Sequence, residues 1–203
     1  MAGHIFPMKK QTNREKILIA GLRVVHDHGF GGASVRDIVA AAGVPQGSFS
    51  NNFVSKEAFG LEILDLYFAD LRQMVKETLE DETVPPLQRL FNYIEENKKS
   101  VMVNDGRSGC LLGNFSAETT GRSEAIRHRL VERFNELQSA IETCLKAAVK
   151  TSDLPRNLKC RETANFIISS MQGAILLSKT HHDVTPIDNF RKILFSGVLK
   201  LPA

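Results

Sequence analysis

Apolar residues recur along this chain at three- and four-residue spacing, and nowhere do they alternate strictly as a half-buried strand requires. The pattern predicts an all-α protein of close to nine helices. Thr12 with Glu15 makes a capping-box start, after which Ile17, Ala20, Gly21, Val24 and His28 share one helical face until Gly29 ends it. Phe30 follows as the plug of a small core, and Gly31 and Gly32 turn the chain toward Ser34. Ser34 with Asp37 opens a short helix whose apolar positions are Ile38, Val39, Ala41 and Ala42. Gly43 tolerates the left-handed backbone of a sharp turn. Pro45 suits the first position of a second short helix, where an N–H has no intrahelical partner to lose. That helix shows Gln46, Ser48, Ser50, Asn51 and Asn52 outward and keeps Phe49 and Phe53 as anchors.

Ser55 caps the next helix, with Lys56 in its first turn and a stripe of Phe59, Ile63, Tyr67, Leu71, Met74 and Thr78 reaching about Leu79. Pro85 and Pro86 start another, with Leu87, Leu90, Phe91 and Ile94 inward, which fades by Val103 before a turn at Asn104, Asp105 and Gly106. A short apolar helix over 108–120 and a long one over 123–150 follow, the latter striped by Ile126, Leu130, Phe134, Leu137, Ile141 and Leu145. The last two helices are expected over 159–180 and 186–199. More of their circumference is apolar than one face needs, through Phe166, Met171, Leu177, Phe190, Ile193 and Val198. Burial against a second copy, giving a two-fold homodimer, explains that surplus, and a fully internal helix pair is the alternative. The organisation expected is a small domain over 1–55 and a larger helical one over 56–203.

Composition changes this picture little. The 203 residues are 42% hydrophobic and 24% charged, ordinary for a globular protein. No apolar run approaches the ~20 residues a membrane span requires. The first ten residues are too short and too proline-broken for a secretory leader, so a cytoplasmic location is expected. Charge is more telling by place than by size. Residues 1–53 hold six Lys/Arg against three acids, while the other 150 hold twenty of each sign. The whole excess of the +3 net charge therefore lies in the small domain, as attraction to phosphate favours. Cys110, Cys144 and Cys160 are far apart without a CxxC pair, which argues against structural zinc and a disulfide framework. His181, His182 and Asp183 are adjacent, and adjacent residues rarely converge on one ion, so no metal or cofactor is expected. The six histidines fall in no catalytic motif, and the chain does not read as an enzyme.

Two short helices with a glycine turn and a polar second helix are what helix-turn-helix DNA reading needs. Gln46, Asn51 and Asn52 suit adenine edges or phosphates, though outside that motif they are simply turn-friendly polar residues. Lys9, Lys10 and Arg14 either track a DNA backbone or belong to a disordered start. From near Asn13 through REKILIAGLRVVHDHGFGGASVRDIVAAAGVPQGSFSNNFVSKEAF the chain resembles the TetR/AcrR family of bacterial transcriptional regulators. The resemblance implies a homodimeric repressor that grips a near-palindromic operator. Gln46, Gly47, Ser48 and Asn51 then meet bases, while Ser34, Asn52 and Lys56 hold phosphates, with Arg36 and Ser50 beside them. The chain departs from the family at Ser50, where a phosphate-touching tyrosine is usual, and at Gly21 and Val25, where alanine and phenylalanine are usual.

Cys110 is the candidate sensor. If Ser108 caps its helix, Cys110 sits in a first turn where partial positive charge stabilises a thiolate, with Arg107 just upstream. The alternative is a small buried hydrophobe. SKEAFGLEIL, GCLLGNFSAE around Cys110 and GAILLSK ending at Lys179 are similar to the NemR-like and AcuR-like branches of the family. That resemblance implies an effector pocket in which Cys110 meets reactive electrophiles and Lys179 lies beside it. Phe115, Phe134 and Met171 are expected as further effector-site residues. Lys179 is otherwise a solvated cation at a helix end. Two rival readings stay open: a reversible, non-covalent pocket ligand, and a helical protein-interaction adaptor that binds no DNA.

Overall fold

The structure, a computed structural model, describes residues 11–102, 109–119 and 121–199. The basic start at Lys9 and Lys10, the turn at 104–106, Arg107 and Ser108 lie outside them. The described residues form nine α-helices and one π-helical turn, without a strand. No helix among them is long and apolar enough to cross a membrane.

Three helices make the N-terminal head: α1 (Asn13–Gly32), α2 (Val35–Ala41) and α3 (Ser48–Asn52). Thr12 and Ser34 each carry a complete capping box, with the side chain accepting the amide three residues on and the acid returning to the cap. The backbone of α1 leaves helical geometry at Gly29 (φ 76°, ψ 160°), a left-handed-side conformation that glycine adopts without strain. The buried line of α1 is Ile17, Gly21 and Val25, so Val24 is only half-buried and the expected inward His28 is exposed. Gly43 turns at φ 63° between α2 and α3. Pro45 does not open α3. It leads a hydrogen-bonded turn in which its carbonyl accepts the Ser48 amide at 2.9 Å, and helical pairing starts only at Ser48.

The helix α4 (Lys56–Glu77) leaves the head capped by Ser55, whose hydroxyl accepts the Ala58 amide at 3.0 Å. Its buried face is wider than the expected stripe, adding Gly60, Leu64, Phe68 and Val75. The body is completed by α5 (Pro86–Met102), α6 (Leu111–Thr119), α7 (Glu124–Lys150), α8 (Cys160–His181) and α9 (Thr185–Ile193), with the π-helical turn at Leu194–Val198. Leu90, Ile94, Leu111, Leu112, Ile126, Ile141, Ile167 and Ile175 fill its core. The last helix was expected to run on unbroken to 199. Instead its pairing widens after Ile193, a local change that periodicity does not reveal. The helix α6 lies against α1, so one element of the body touches the head directly.

Candidate functional site

The head closes on three phenylalanines. The ring centres of Phe49, Phe53 and Phe59 lie 5.2 Å from one another, and Phe59 is wholly buried. A Cβ on Gly21 falls 2.4 Å from the Phe59 ring, so the glycine standing where alanine is usual is the space that ring occupies. Outside this cluster, Gln46, Gly47, Ser50, Asn51, Ser34 and Arg36 are all exposed. Ser50 donates its hydroxyl to the Gly47 carbonyl at 3.1 Å, and Asn52, half-buried, donates its amide to the Ser48 carbonyl at 2.6 Å. Ser48 departs from expectation. It is only 7% exposed, because the start of α3 packs on α1, and its hydroxyl accepts the Asn13 amide at 3.5 Å. The outward positions of α3 and of the turn before it are therefore Gln46, Gly47, Ser50 and Asn51. The Ser34 hydroxyl and amide hold the Asp37 carboxyl below its usual range, so the acid of this cap stays ionised.

Lys56 is half-buried at the first residue of α4, its ammonium 4.9 Å above the Phe30 ring. Burial lowers its pKa, opposed by the nearby carboxylate of Glu118. Val54, two residues before it, is 96% exposed. Arg14 pairs with Glu62 and lies 5.4 Å from the Phe53 ring centre, so it braces α1 against α4.

Cys110 stands immediately before α6 rather than inside its first turn, and its carbonyl accepts the Asn114 amide at 3.0 Å. The thiol is half-buried and forms the shared wall of two cavities. The inner one, about 190 Å³, is lined by His26, Tyr67, Asp70, Asn97 and Ile175. The outer, about 270 Å³, is lined by Gly113, Asn114, Gln172, Leu176 and Lys179. The Gln172 amide donates to the Cys110 sulfur at 3.5 Å, and Tyr67 lines the inner cavity beside the same thiol. Burial, and secondarily Cys110, raises the Tyr67 hydroxyl well above its ordinary pKa, so it stays protonated. The Lys179 ammonium donates to the Asn114 side chain at 3.5 Å. Gly109, at φ 68°, lets the Lys179 stem pass, since a Cβ there lies 3.2 Å from its Cδ. The Gly109 carbonyl also meets His26 Nε2 at 3.0 Å, and burial lowers the pKa of that imidazole.

Of the five expected effector residues, Cys110 and Lys179 come together in the outer cavity. Phe115 and Met171 are buried in the core and Phe134 is half-buried on α7. None of the three lines either cavity beside Cys110. Tyr67, His26, Asn97 and Gln172 do line them. Tyr67 stood in the apolar stripe of α4, where only its hydroxyl set it apart; the others carried no spacing signal. A third cavity of about 530 Å³, with Phe68, Val75, Leu79, Arg89 and Cys144 in its wall, holds no residue expected to bind effector. Cys144 donates its thiol to the Pro86 carbonyl at 3.1 Å, and burial pushes its pKa up to about 11. Among the described residues no three His, Cys, Asp or Glu gather into a metal-holding group; His182 instead ends α8 in left-handed backbone.

A two-helix reading unit carried on a larger helical body is the arrangement of a DNA-binding regulator. Residues 17–63 match the bacterial regulatory proteins of the tetR family, and residues 86–194 match the tetracyclin repressor-like C-terminal domain. The chain belongs to the TetR family. It is 38% identical to the HTH-type transcriptional repressor DhaR of Mycobacterium sp. strain GP1, over 95% of each chain. The crystal structure of Escherichia coli NemR in its reduced form matches at 25% identity and a TM-score of 0.76, covering 90% of this chain and 96% of that one. A TetR regulatory protein from Rhodobacter sphaeroides shares the fold at 24% identity and a TM-score of 0.85, over 90% and 96% of the two chains. The protein is thus a DNA-binding transcriptional regulator, and its relatives are transcription factors rather than enzymes.

Proposed function

We propose that the protein is a cytoplasmic, homodimeric repressor released from a near-palindromic operator when a small reactive electrophile is captured at Cys110. In the free state both heads sit in neighbouring major grooves. Gln46, Gly47, Ser50 and Asn51 face bases, while Ser34, Arg36, Asn52 and Lys56 meet the backbone. The two copies join through α8 and α9, whose exposed Phe166, Leu177 and Ile193 border an apolar groove of about 550 Å³.

The observation that carries the sensing half is the position of the Cys110 sulfur, half-exposed between two cavities and flanked by Gln172 and Tyr67. An unsaturated carbonyl entering there forms a carbon–sulfur bond at its β-carbon. The C=C electron pair shifts to the α-carbon, and the proton lost by the thiol ends there, so no further reactant is consumed. The adduct enlarges a side chain at the leading edge of α6, the helix that touches α1. Release then follows from the adduct's differential fit to the two head arrangements.

The test of the DNA-binding half is fluorescence anisotropy with DNA flanking the gene across a salt series. Affinity is expected to fall steeply, with a log–log slope of about −0.9 for each phosphate engaged. Affinity unchanged from low to high salt contradicts the proposal.

A further inference from the structure

Where α6 meets the head, three contacts converge on one carboxylate. Glu118 Oε2 accepts the backbone amide of Gly31 at 2.8 Å. A Cβ on Gly29 falls 2.6 Å from Glu118 Oε1, so the break in α1 at that glycine is also the space the carboxylate fills. Phe30, between those glycines, stacks on Phe115 of α6 at 4.9 Å and carries the Lys56 ammonium on its ring, also at 4.9 Å. Glu118 and the Lys56 ammonium are thus gathered around the same Phe30 segment without forming a direct ion pair, and the carboxylate's charge favours the protonated lysine. One residue along, Glu57 accepts a hydrogen bond from Ser123 at the head of α7. The first turn of α4 is therefore bonded to the body at Glu57, next to the lysine that rests on Phe30. Lys56 begins that turn four residues after α3 ends, where a free ammonium reaches the phosphates flanking a helix seated in the major groove.

We propose that Glu118 is a positioning residue that sets DNA affinity by competing with the operator's phosphate for the Lys56 ammonium. The carboxylate is a fixed anion supplied by the sensing domain, and the phosphate is the anion supplied by DNA. Any movement of α6 that presses Glu118 toward Lys56 weakens the grip of the head, and one that withdraws it strengthens the grip. This rests on Lys56 being a phosphate contact, and the experiment separates the two claims.

The experiment is a double-mutant cycle on the full-length protein with operator DNA, using Glu118→Gln, Lys56→Met and the combination. Glutamine keeps an acceptor for the Gly31 amide and removes only the charge, and thermal unfolding of each variant checks that the head stays folded. Glu118→Gln is expected to tighten binding roughly 2- to 10-fold, as a half-exposed carboxylate near the ammonium in each of two heads allows, and to do nothing in the Lys56→Met background. Unchanged or weaker binding by Glu118→Gln, while Lys56→Met weakens it, overturns the competition and leaves Lys56 as a phosphate contact. Equal tightening with and without Lys56 marks a general charge effect and also overturns it. If Lys56→Met changes nothing even in the Glu118→Gln protein, Lys56 does not meet phosphate and the premise itself falls.

Discussion

In the head, Phe49, Phe53 and Phe59 close on one another, and the polar groups proposed to meet DNA lie outside them, Ser48 apart. In the body the order is inverted. Cys110, Tyr67, Gln172 and Lys179 face inward around space that no side chain fills. A reading surface must hold its shape against a rigid duplex, so it is backed by a sealed core. A body proposed to accept a guest keeps cavities and forgoes the dispersion contacts that filling them would add.

The largest expected effect tests that contrast. Phe59→Ala is expected to cost about 3–5 kcal/mol and to abolish DNA binding, whereas Ile175→Val, in the wall of both cavities, is expected to cost about 0.5–1.5 kcal/mol. Denaturant unfolding of both variants is the check, and equal costs would break the comparison. Next, Gly21→Ala is expected to destabilise by about 1–3 kcal/mol, because its methyl group meets the Phe59 ring. A more stable Gly21→Ala protein would show that the head has room to spare. Asn51→Ala is expected to weaken discrimination of the operator by about 1–3 kcal/mol per base contact without moving the unfolding midpoint. Competition binding against altered operators measures it.

The smallest effect in stability is the most specific in chemistry. At neutral pH N-ethylmaleimide is expected to modify Cys110 well before Cys144. The thiol of Cys144 ionises only as pH rises toward about 11, and it is 3% exposed. Raising pH therefore increases Cys144 labelling, and lowering it does not. Peptide mapping at pH 7 that finds Cys144 labelled as fast as Cys110 would erase the distinction between the two thiols.

The same contrast explains how much of the molecule was legible in its sequence. The head is encoded locally: Thr12 with Glu15, Ser34 with Asp37, and Gly43 each act within a few residues, and all three are found in those roles. What failed there was where α3 begins, which Pro45 precedes rather than opens, and otherwise the failure was tertiary. Ser48 reads as outward on a helical wheel, and only the packing of α3 on α1 turns it inward. Most of the cavity is encoded across distance. Tyr67, Cys110 and Gln172 are spread over a hundred residues, and no periodicity announces that their side chains meet. Phe115 and Met171 look like pocket residues by type, yet they serve the core. Gly29 was readable as a helix stop, but not as the space for Glu118, because that requires α6 in place.

The most direct test of the account is the release of operator DNA from wild-type and Cys110→Ser protein on treatment with N-ethylmaleimide, followed by anisotropy with adducts mapped by mass spectrometry. The account predicts release in step with modification of Cys110 and no release from Cys110→Ser. Release of Cys110→Ser at the wild-type dose would contradict the Cys110 switch and place the response at another group that N-ethylmaleimide modifies.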